Sequence, residues 1–177
     1  MKNKTQSNKN IILSTERLYA VIPNIKTSQN RISLLTDPHT TKFLGNGSTR
    51  TKQQATEFFK LNLAHFQKHG FCLFDIYEKY TNDYVGDAGI IFAALNDQNK
   101  EIEVGYRLKK EKWGKGYATE LAKAFIEWGF TKHHLTKIVA YVNPKNLASK
   151  NVVQKSNMRF GHKTIYPSPT NIECDFY

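Results

Sequence analysis

Between positions 71 and 128 the apolar pattern changes period, from two residues to 3.6, across the short segment Gly114-Lys-Gly116. Three β-like stretches, 71–77, 84–94 and 101–108, precede the change. They are joined by the polar, turn-forming segments Tyr80-Thr-Asn-Asp83 and Asn96-Asp-Gln-Asn99. Connections this short pair strands antiparallel, so the sequence predicts a meander. Beyond the glycines, Tyr117, Leu121, Phe125 and Trp128 fall on one face of a helix. A meander feeding a long amphipathic helix restricts the chain to the mixed α/β class, with a mostly antiparallel sheet flanked by helices.

The flanking segments extend this plan. The apolar stretch 11–21 reads as a first strand stopped by Pro23, and a helical region then runs to Leu35 and ends at Asp37-Pro38. Gly45-Asn-Gly-Ser48 is a loop. Thr51 and Gln54 form a capping box that opens a helix running to His69 and stopping at Gly70. Phe58, Leu61, Ala64 (or His65) and Phe66 supply its apolar stripe. Downstream, 137–142 is β-like, Asn143-Pro144 breaks the chain, 146–156 is helical, and 158–166 forms a last strand. The predicted order is β-α-α-β-β-β-α-β-α-β, one domain over residues 11–177 behind a disordered basic tail over residues 1–10.

Composition narrows the function. With 177 residues, 40% hydrophobic and 23% charged, the chain has the material for one well-formed core. The net charge of +11 is spread over both halves, which suits an anionic ligand or acidic partner and weak attraction to nucleic acid. Most of these lysines are expected simply to solvate the surface. Residues 89–95, the longest near-apolar run, are too short to cross a bilayer, and Met1–Asn10 lacks the apolar stretch of a secretory signal. The expected location is cytoplasmic, with no membrane partner. Cys72 and Cys174 then read as reduced thiols.

Several apparent motifs dissolve on inspection. His65 and His69 stand one helical turn apart, but Phe66 occupies the position where a zinc HExxH helix needs glutamate, and no metal is expected. Gly114-x-Gly116 has Thr119 at the third glycine position of a dinucleotide fingerprint, without a βαβ unit. No Walker loop and no GxSxG occur. Cys72 lies in an apolar strand and reads as a small core residue.

The segment Glu101-Ile-Glu-Val-Gly-Tyr-Arg-Leu-Lys-Lys-Glu-Lys-Trp-Gly-Lys-Gly-Tyr-Ala-Thr-Glu120 remains. Glycines at a helix mouth let backbone N–H groups approach an anion, the helix dipole favours negative charge there, and Lys112 and Lys115 add positive charge. The segment reads either as a pyrophosphate cradle or as a strand-to-helix turn whose glycines only permit tight packing. On the adjoining strand Glu101, Glu103 and Arg107 share one face, opposite Val104, Tyr106 and Leu108.

Taken with two further blocks, this segment resembles the GNAT superfamily of acyl-CoA-dependent N-acyltransferases, in its RimJ/RimL-like ribosomal-protein branch. Leu13-Ser-Thr-Glu-Arg-Leu18 is similar to the family's first-strand signature. Leu35-Thr-Asp-Pro38 and Val85-Gly-Asp-Ala-Gly89 fall at its helix end and second hairpin strand. Trp113-Gly-Lys-Gly-Tyr-Ala-Thr-Glu120 resembles its acetyl-CoA loop, and Asn143-Pro-Lys-Asn-Leu-Ala-Ser149 with Gln154-Lys-Ser-Asn-Met-Arg-Phe160 its last helix and turn. The resemblance covers about residues 11–166. It implies a sheet splayed at the acyl-CoA site, with acetyl-CoA as co-substrate. Contacts to that co-substrate are implied for Tyr106, Arg107, Leu108, Trp113, Gly114, Lys115, Gly116, Tyr117, Ala118 and Asn146.

The chain departs from the family pattern at four positions. Glu111 stands where the superfamily has glutamine or arginine, and Trp113 stands where many members carry arginine. Asn157 replaces a glycine but is itself competent for the left-handed conformation. Val153 occupies the position of a tyrosine that protonates the departing thiolate in many members, so Ser149 and Asn146 become the nearest candidates for that duty.

The implied reaction is acetyl transfer to an amine, which must first lose a proton. Glu103 is the candidate base, against the alternative of a solvated strand face. Ser149 is read either as a thiolate partner or as a helix-surface serine, Asn146 as a cofactor contact or a helix N-cap, and Lys150 as a phosphate contact or a solvated lysine. The branch implies a protein N-terminus as acceptor, with ribosome association, in a monomer or homodimer. A small-molecule amine such as a polyamine or an antibiotic is the alternative. A non-catalytic RNA-binding module is the reading outside enzymes.

Overall fold

The computed structural model describes residues 10–168 and 171–177; nearly all of the predicted N-terminal tail lies outside these residues. The stretch expected as one first strand is a hairpin, β1 (Ile11–Ser14) and β2 (Leu18–Val21). Thr15 turns it: its backbone N–H donates to the Leu18 carbonyl (2.9 Å) and its hydroxyl accepts from the Leu18 N–H (3.1 Å). Apolar patterning alone does not reveal a turn built from Thr15, Glu16 and Arg17.

Helix α1 (Ser28–Thr36) and the short α2 (Pro38–Thr41) follow, with Asp37 capping the second. Helix α3 (Lys52–His69) has the predicted capping box between Thr51 and Gln54, and it ends at Gly70 in the left-handed conformation. Its buried face agrees with the predicted stripe in part: His65 is buried and Phe66 packs edge-on against Phe74 at 5.9 Å. Ala55, Phe59, Asn62 and His65 face inward, whereas Leu61 is 60% exposed and Phe58 is only half-buried. The inward polar residues each have a task. Asn62 exchanges two hydrogen bonds with the Leu73 backbone, and His65 bridges the Phe71 carbonyl and the Phe92 N–H. Burial of satisfied polar groups is what the apolar pattern misses.

Strands β3 (Leu73–Glu78), β4 (Tyr84–Phe92) and β5 (Ile102–Leu108) form the predicted meander, completing a five-stranded antiparallel sheet in the order β1-β2-β3-β4-β5. Helix α4 (Tyr117–His133) packs against β4 and β5. The core lies between them. Phe125 stacks on Phe74 at 5.7 Å, Trp128 meets both edge-on, and Leu18, Ile76, Val85, Ile90 and Leu121 are buried around them. Each such aromatic contact adds about 0.5–1.5 kcal/mol beyond its burial.

The C-terminal part is a second sheet. Strand β6 (Tyr141–Val142) is shorter than predicted, α5 (Leu147–Lys155) runs as predicted from Asn146, and β7 (His162–Ile165) pairs with a further strand, β8 (Glu173–Phe176), in the order β6-β8-β7. The sequence reading did not include β8. The two sheets meet at one parallel bridge between Glu103 and Val139, where the Val104 N–H reaches the Val139 carbonyl and the Val139 N–H reaches that of Ile102 (2.9 Å each). Beyond this bridge β5 and β6 share no ladder, and a cleft opens between them.

Candidate active site

The backbone of β5 alternates sides, so its geometry past the bridge follows from the bonds already named. Residues 103, 105 and 107 pair with Ile91, Gly89 and Asp87 of β4, which turns the main-chain groups of Tyr106 and the N–H of Leu108 toward the open side. The Leu108 carbonyl is taken by the Trp113 indole N–H at 2.8 Å, a bond that fixes the loop leading into α4. The resulting cleft has a volume of about 870 Å3.

At one end of the cleft lies the mouth of α4. Gly116 is its N-cap in the left-handed conformation (φ +79°), and no side chain caps the first turn, so the N–H groups there are available to an anionic ligand. A Cβ at Gly116 would come to 3.5 Å from the Arg17 guanidinium, which braces this loop by donating to the Lys115 carbonyl (2.8 Å) and pairing with Glu120 (2.6 Å). Thr15 also donates to Glu120, at 2.6 Å. The Thr15-Glu-Arg17 turn is therefore tied to the first turn of α4, which gives the N-terminal signature a physical purpose. These features fit the diphosphate of a CoA molecule.

Lys112 behaves differently from its reading. Its ammonium pairs with Glu78 and Asp83 at 3.1 Å each, so its charge is spent inside the protein. Glu78 also accepts from the Tyr117 hydroxyl (2.7 Å), and hydrogen bonds from Thr81 and Tyr117 hold its carboxyl down to about 2. Lys115 is half-exposed beside the mouth, its ammonium 4.0 Å from Glu78, and it does not line the cleft. Glu111 is exposed and pairs with Lys109 (2.8 Å).

The other wall is α5. Asn146 is its N-cap, accepting from the Ser149 N–H (3.1 Å), and it also lines the cleft. Ser149 Oγ lies 2.8 Å from the Tyr106 hydroxyl, whose pKa burial pushes up to about 12. The two hydroxyls form a pair on the cleft wall, and this gives Tyr106 a side-chain role that the sequence reading did not include. Val153 is fully buried in the core. Lys150 pairs with Asp175 (2.5 Å).

On the opposite face of β5 sits Glu103, the one acidic side chain lining the cleft among the described residues. It is 8% exposed, and burial pushes its pKa up to about 7 against the hydrogen bonds it accepts and the charge of Arg107. The Tyr166 hydroxyl donates to Glu103 Oε1 at 2.5 Å and accepts from the Ala94 N–H at 2.9 Å. Tyr141 meets Tyr166 edge-on at 5.1 Å. Neither tyrosine stood out in the sequence, because each acquires its partner only through tertiary packing. Glu101 is more exposed and pairs with Lys137 (2.9 Å).

Arg107 departs from the expected cofactor contact. Its side chain lies on the Glu103 face and binds Asp87 through two hydrogen bonds, at 2.8 and 2.5 Å. Asp87 also lies 3.6 Å from the buried Arg31, which pairs with Asp75 at 2.7 Å. Main-chain pairing with β4 turns the Arg107 backbone away from the split as well. Only Tyr106 and Leu108 of that predicted trio face the open side.

A split sheet with an uncapped helix mouth on one side and a buried carboxylate on the other is the architecture of an acyl-CoA-dependent transferase. The chain belongs to the acetyltransferase (GNAT) domain family, whose model matches residues 26–159. It is 32% identical over 116 residues to the uncharacterized protein YkkB of Bacillus subtilis, covering 66% of each chain, and 29% identical to the uncharacterized N-acetyltransferase p20 of Bacillus licheniformis, covering 77% and 76%. Among solved structures, the fold is similar to that of an acetyltransferase from Agrobacterium tumefaciens (TM-score 0.77, 24% identity, 93% and 92% coverage). RimL, a ribosomal L7/L12 α-N-protein acetyltransferase in complex with coenzyme A, shares it too (TM-score 0.75, 15% identity, 94% and 96% coverage). A spermidine N-acetyltransferase from Vibrio cholerae in complex with CoA and spermine does likewise (TM-score 0.72, 14% identity, 90% and 92% coverage). The protein is an acyltransferase of the N-acetyltransferase type.

Proposed function

We propose that the protein transfers the acetyl group of acetyl-CoA to the α-amine of a protein or peptide N-terminus. In this reading the α4 mouth, from Trp113 to Ala118, holds the CoA diphosphate, and the open main-chain edge at Tyr106 and Leu108 receives the pantetheine arm. Glu103 takes a proton from the incoming ammonium, and the freed nitrogen attacks the thioester carbonyl. The carbon–sulfur bond breaks, and the Ser149–Tyr106 hydroxyl pair, with Asn146 beside it, stabilises the departing thiolate.

The observation that carries the choice of amine is Glu103 itself, a buried carboxylate whose pKa stands at about 7. A base of that strength suits an α-amine, whose pKa is near 8, better than a lysine or polyamine amine near 10.4. The net charge of +11 would favour approach to ribosomal RNA around a nascent or assembled target. Two unpaired cysteines accord with work in a reducing cytosol. A small-molecule amine is the second reading, favoured by the shared fold of the spermidine enzyme.

The test is CoA release with short peptides bearing free Ser, Ala or Asp N-termini, run beside spermidine and an aminoglycoside. The proposal expects turnover of peptides. Fast turnover of a small amine with none of any peptide would overturn the choice of acceptor.

A further inference from the structure

The wall of the cleft on the Glu103 side carries two guanidinium groups over one aromatic ring. Arg50 lies 4.7 Å and Arg107 4.8 Å from the centroid of Phe58, and all three residues line the cleft. Their charges are in different states. Arg107 spends Nε and Nη2 on Asp87, whereas its Nη1 makes no hydrogen bond among the described residues. Arg50 has neither a carboxylate within ion-pairing distance nor a side-chain hydrogen bond among the described residues. Partial desolvation, with Arg107 nearby, lowers its pKa. At the rim, His39 lines the cleft and contacts the Lys110 ammonium at 3.3 Å, adding a further cation.

Arg50 is exposed to solvent, and with no carboxylate partner its guanidinium donors are open to an anionic group that enters the cleft beside it. Arg50 lies over the Phe58 ring, and its planar guanidinium offers paired donors that match an oxyanion. The same wall holds Tyr166, bonded to Glu103, and Arg107, which shares the Phe58 ring with Arg50. An acceptor whose amine reaches Glu103 can extend along this wall, past Arg107 and Phe58, to Arg50. A polyamine placed there would bring further positive charge to a wall that already has a cationic excess.

We propose that the acceptor carries an oxyanion, a carboxylate or a phosphate, close to the amine it presents, and that Arg50 receives this group. The inference rests on the α-amine reading and sharpens it: the preferred N-terminus has an acidic or phosphorylated side chain within its first residues.

The experiment uses four peptides of equal length that share an N-terminal serine and differ at the second residue, which is aspartate, phosphoserine, alanine or lysine. Glycine and glycinamide are assayed beside them as the smallest pair differing in a carboxylate. The expected kcat/KM of the aspartate or phosphoserine peptide exceeds that of the lysine peptide by about 10- to 100-fold. The better of the two anionic peptides identifies which oxyanion is used. Arg50→Gln should bring the acidic-to-basic ratio close to one, and Arg50→Lys should retain part of it. An acetyl-CoA-dependent melting shift in the same variants reports that the fold and the donor site persist. A lysine peptide that turns over as well as the aspartate peptide overturns the inference, as does an unchanged ratio in folded Arg50→Gln. If no peptide reacts while glycine outpaces glycinamide, the α-amine of a polypeptide is the wrong acceptor and the oxyanion requirement stands. If no peptide reacts and glycinamide or spermidine is preferred, both fall.

Discussion

The Tyr166 hydroxyl donates a 2.5 Å hydrogen bond to Glu103 across 63 positions of sequence, joining the residue after β7 to the start of β5. The bond favours the ionised carboxylate, while burial favours the neutral one, and burial is the larger effect. Tyr166→Phe removes the opposing contribution. The acid limb of kcat/KM against pH should then move upward by about one unit. A limb that stays in place would show that Tyr166 does not tune Glu103.

Glu103→Gln tests the base in two ways. Turnover of a peptide acceptor should fall by about 10²- to 10⁴-fold with little change in acetyl-CoA affinity, and Ser149→Ala should cost less. Stability should move the other way. The folded-state pKa of Glu103 is about 7 against an ordinary value of 4.5, so protonation favours the folded state. The stability this contributes is complete below pH 4.5 and is lost as pH rises through 7, by an amount on the order of 3 kcal/mol. A neutral glutamine escapes that loss, and denaturant unfolding at pH 8 should show the variant more stable than its parent. Activity within twofold of the parent would pass the duty to another group.

Gly116→Val addresses the donor site. Acetyl-CoA at 100-fold its dissociation constant should stabilise the parent by about 2.7 kcal/mol, a melting shift of roughly 5–11 °C for a domain of this size. Valine at φ +79°, with its Cβ 3.5 Å from Arg17, should abolish the shift while the protein remains folded. A full shift in the variant would move the diphosphate away from the α4 mouth.

Asp87 is the hinge of the buried charges, bound to Arg107 and 3.6 Å from Arg31. Asp87→Ala leaves Arg107 without its carboxylate and Arg31 with Asp75 alone, and should cost about 3–5 kcal/mol in urea unfolding. A loss below about 1 kcal/mol would mean that water reaches this network.

These residues also show how far the sequence could be read. The meander, the capped α3 helix, the glycine-flanked mouth of α4 and the Asn146 cap rest on local patterns, and each stands where its pattern put it. The first strand split because Thr15 makes a turn that hydropathy does not register. The apolar stripe expected for α3 holds at His65 and Phe66 but not at Leu61, since Asn62 is buried instead to satisfy strand backbone and Phe58 lies on the cleft wall. Strand alternation placed Glu103 on one face with Glu101 and Arg107, and the family resemblance singled it out as the candidate base. Tyr166, Arg50 and the Arg107–Asp87 pair were not legible, since each acquires its meaning from a partner distant in sequence.

The central claim is acetyl transfer to an α-amine, and one peptide can test it. A peptide with an N-terminal serine, an aspartate at its second position and an internal lysine carries both kinds of amine on one chain. After incubation with acetyl-CoA and the protein, fragmentation mass spectrometry locates the added acetyl group. The account predicts acetylation of the N-terminal serine with the lysine unmodified; acetyl on the lysine side chain and a free N-terminus would contradict it.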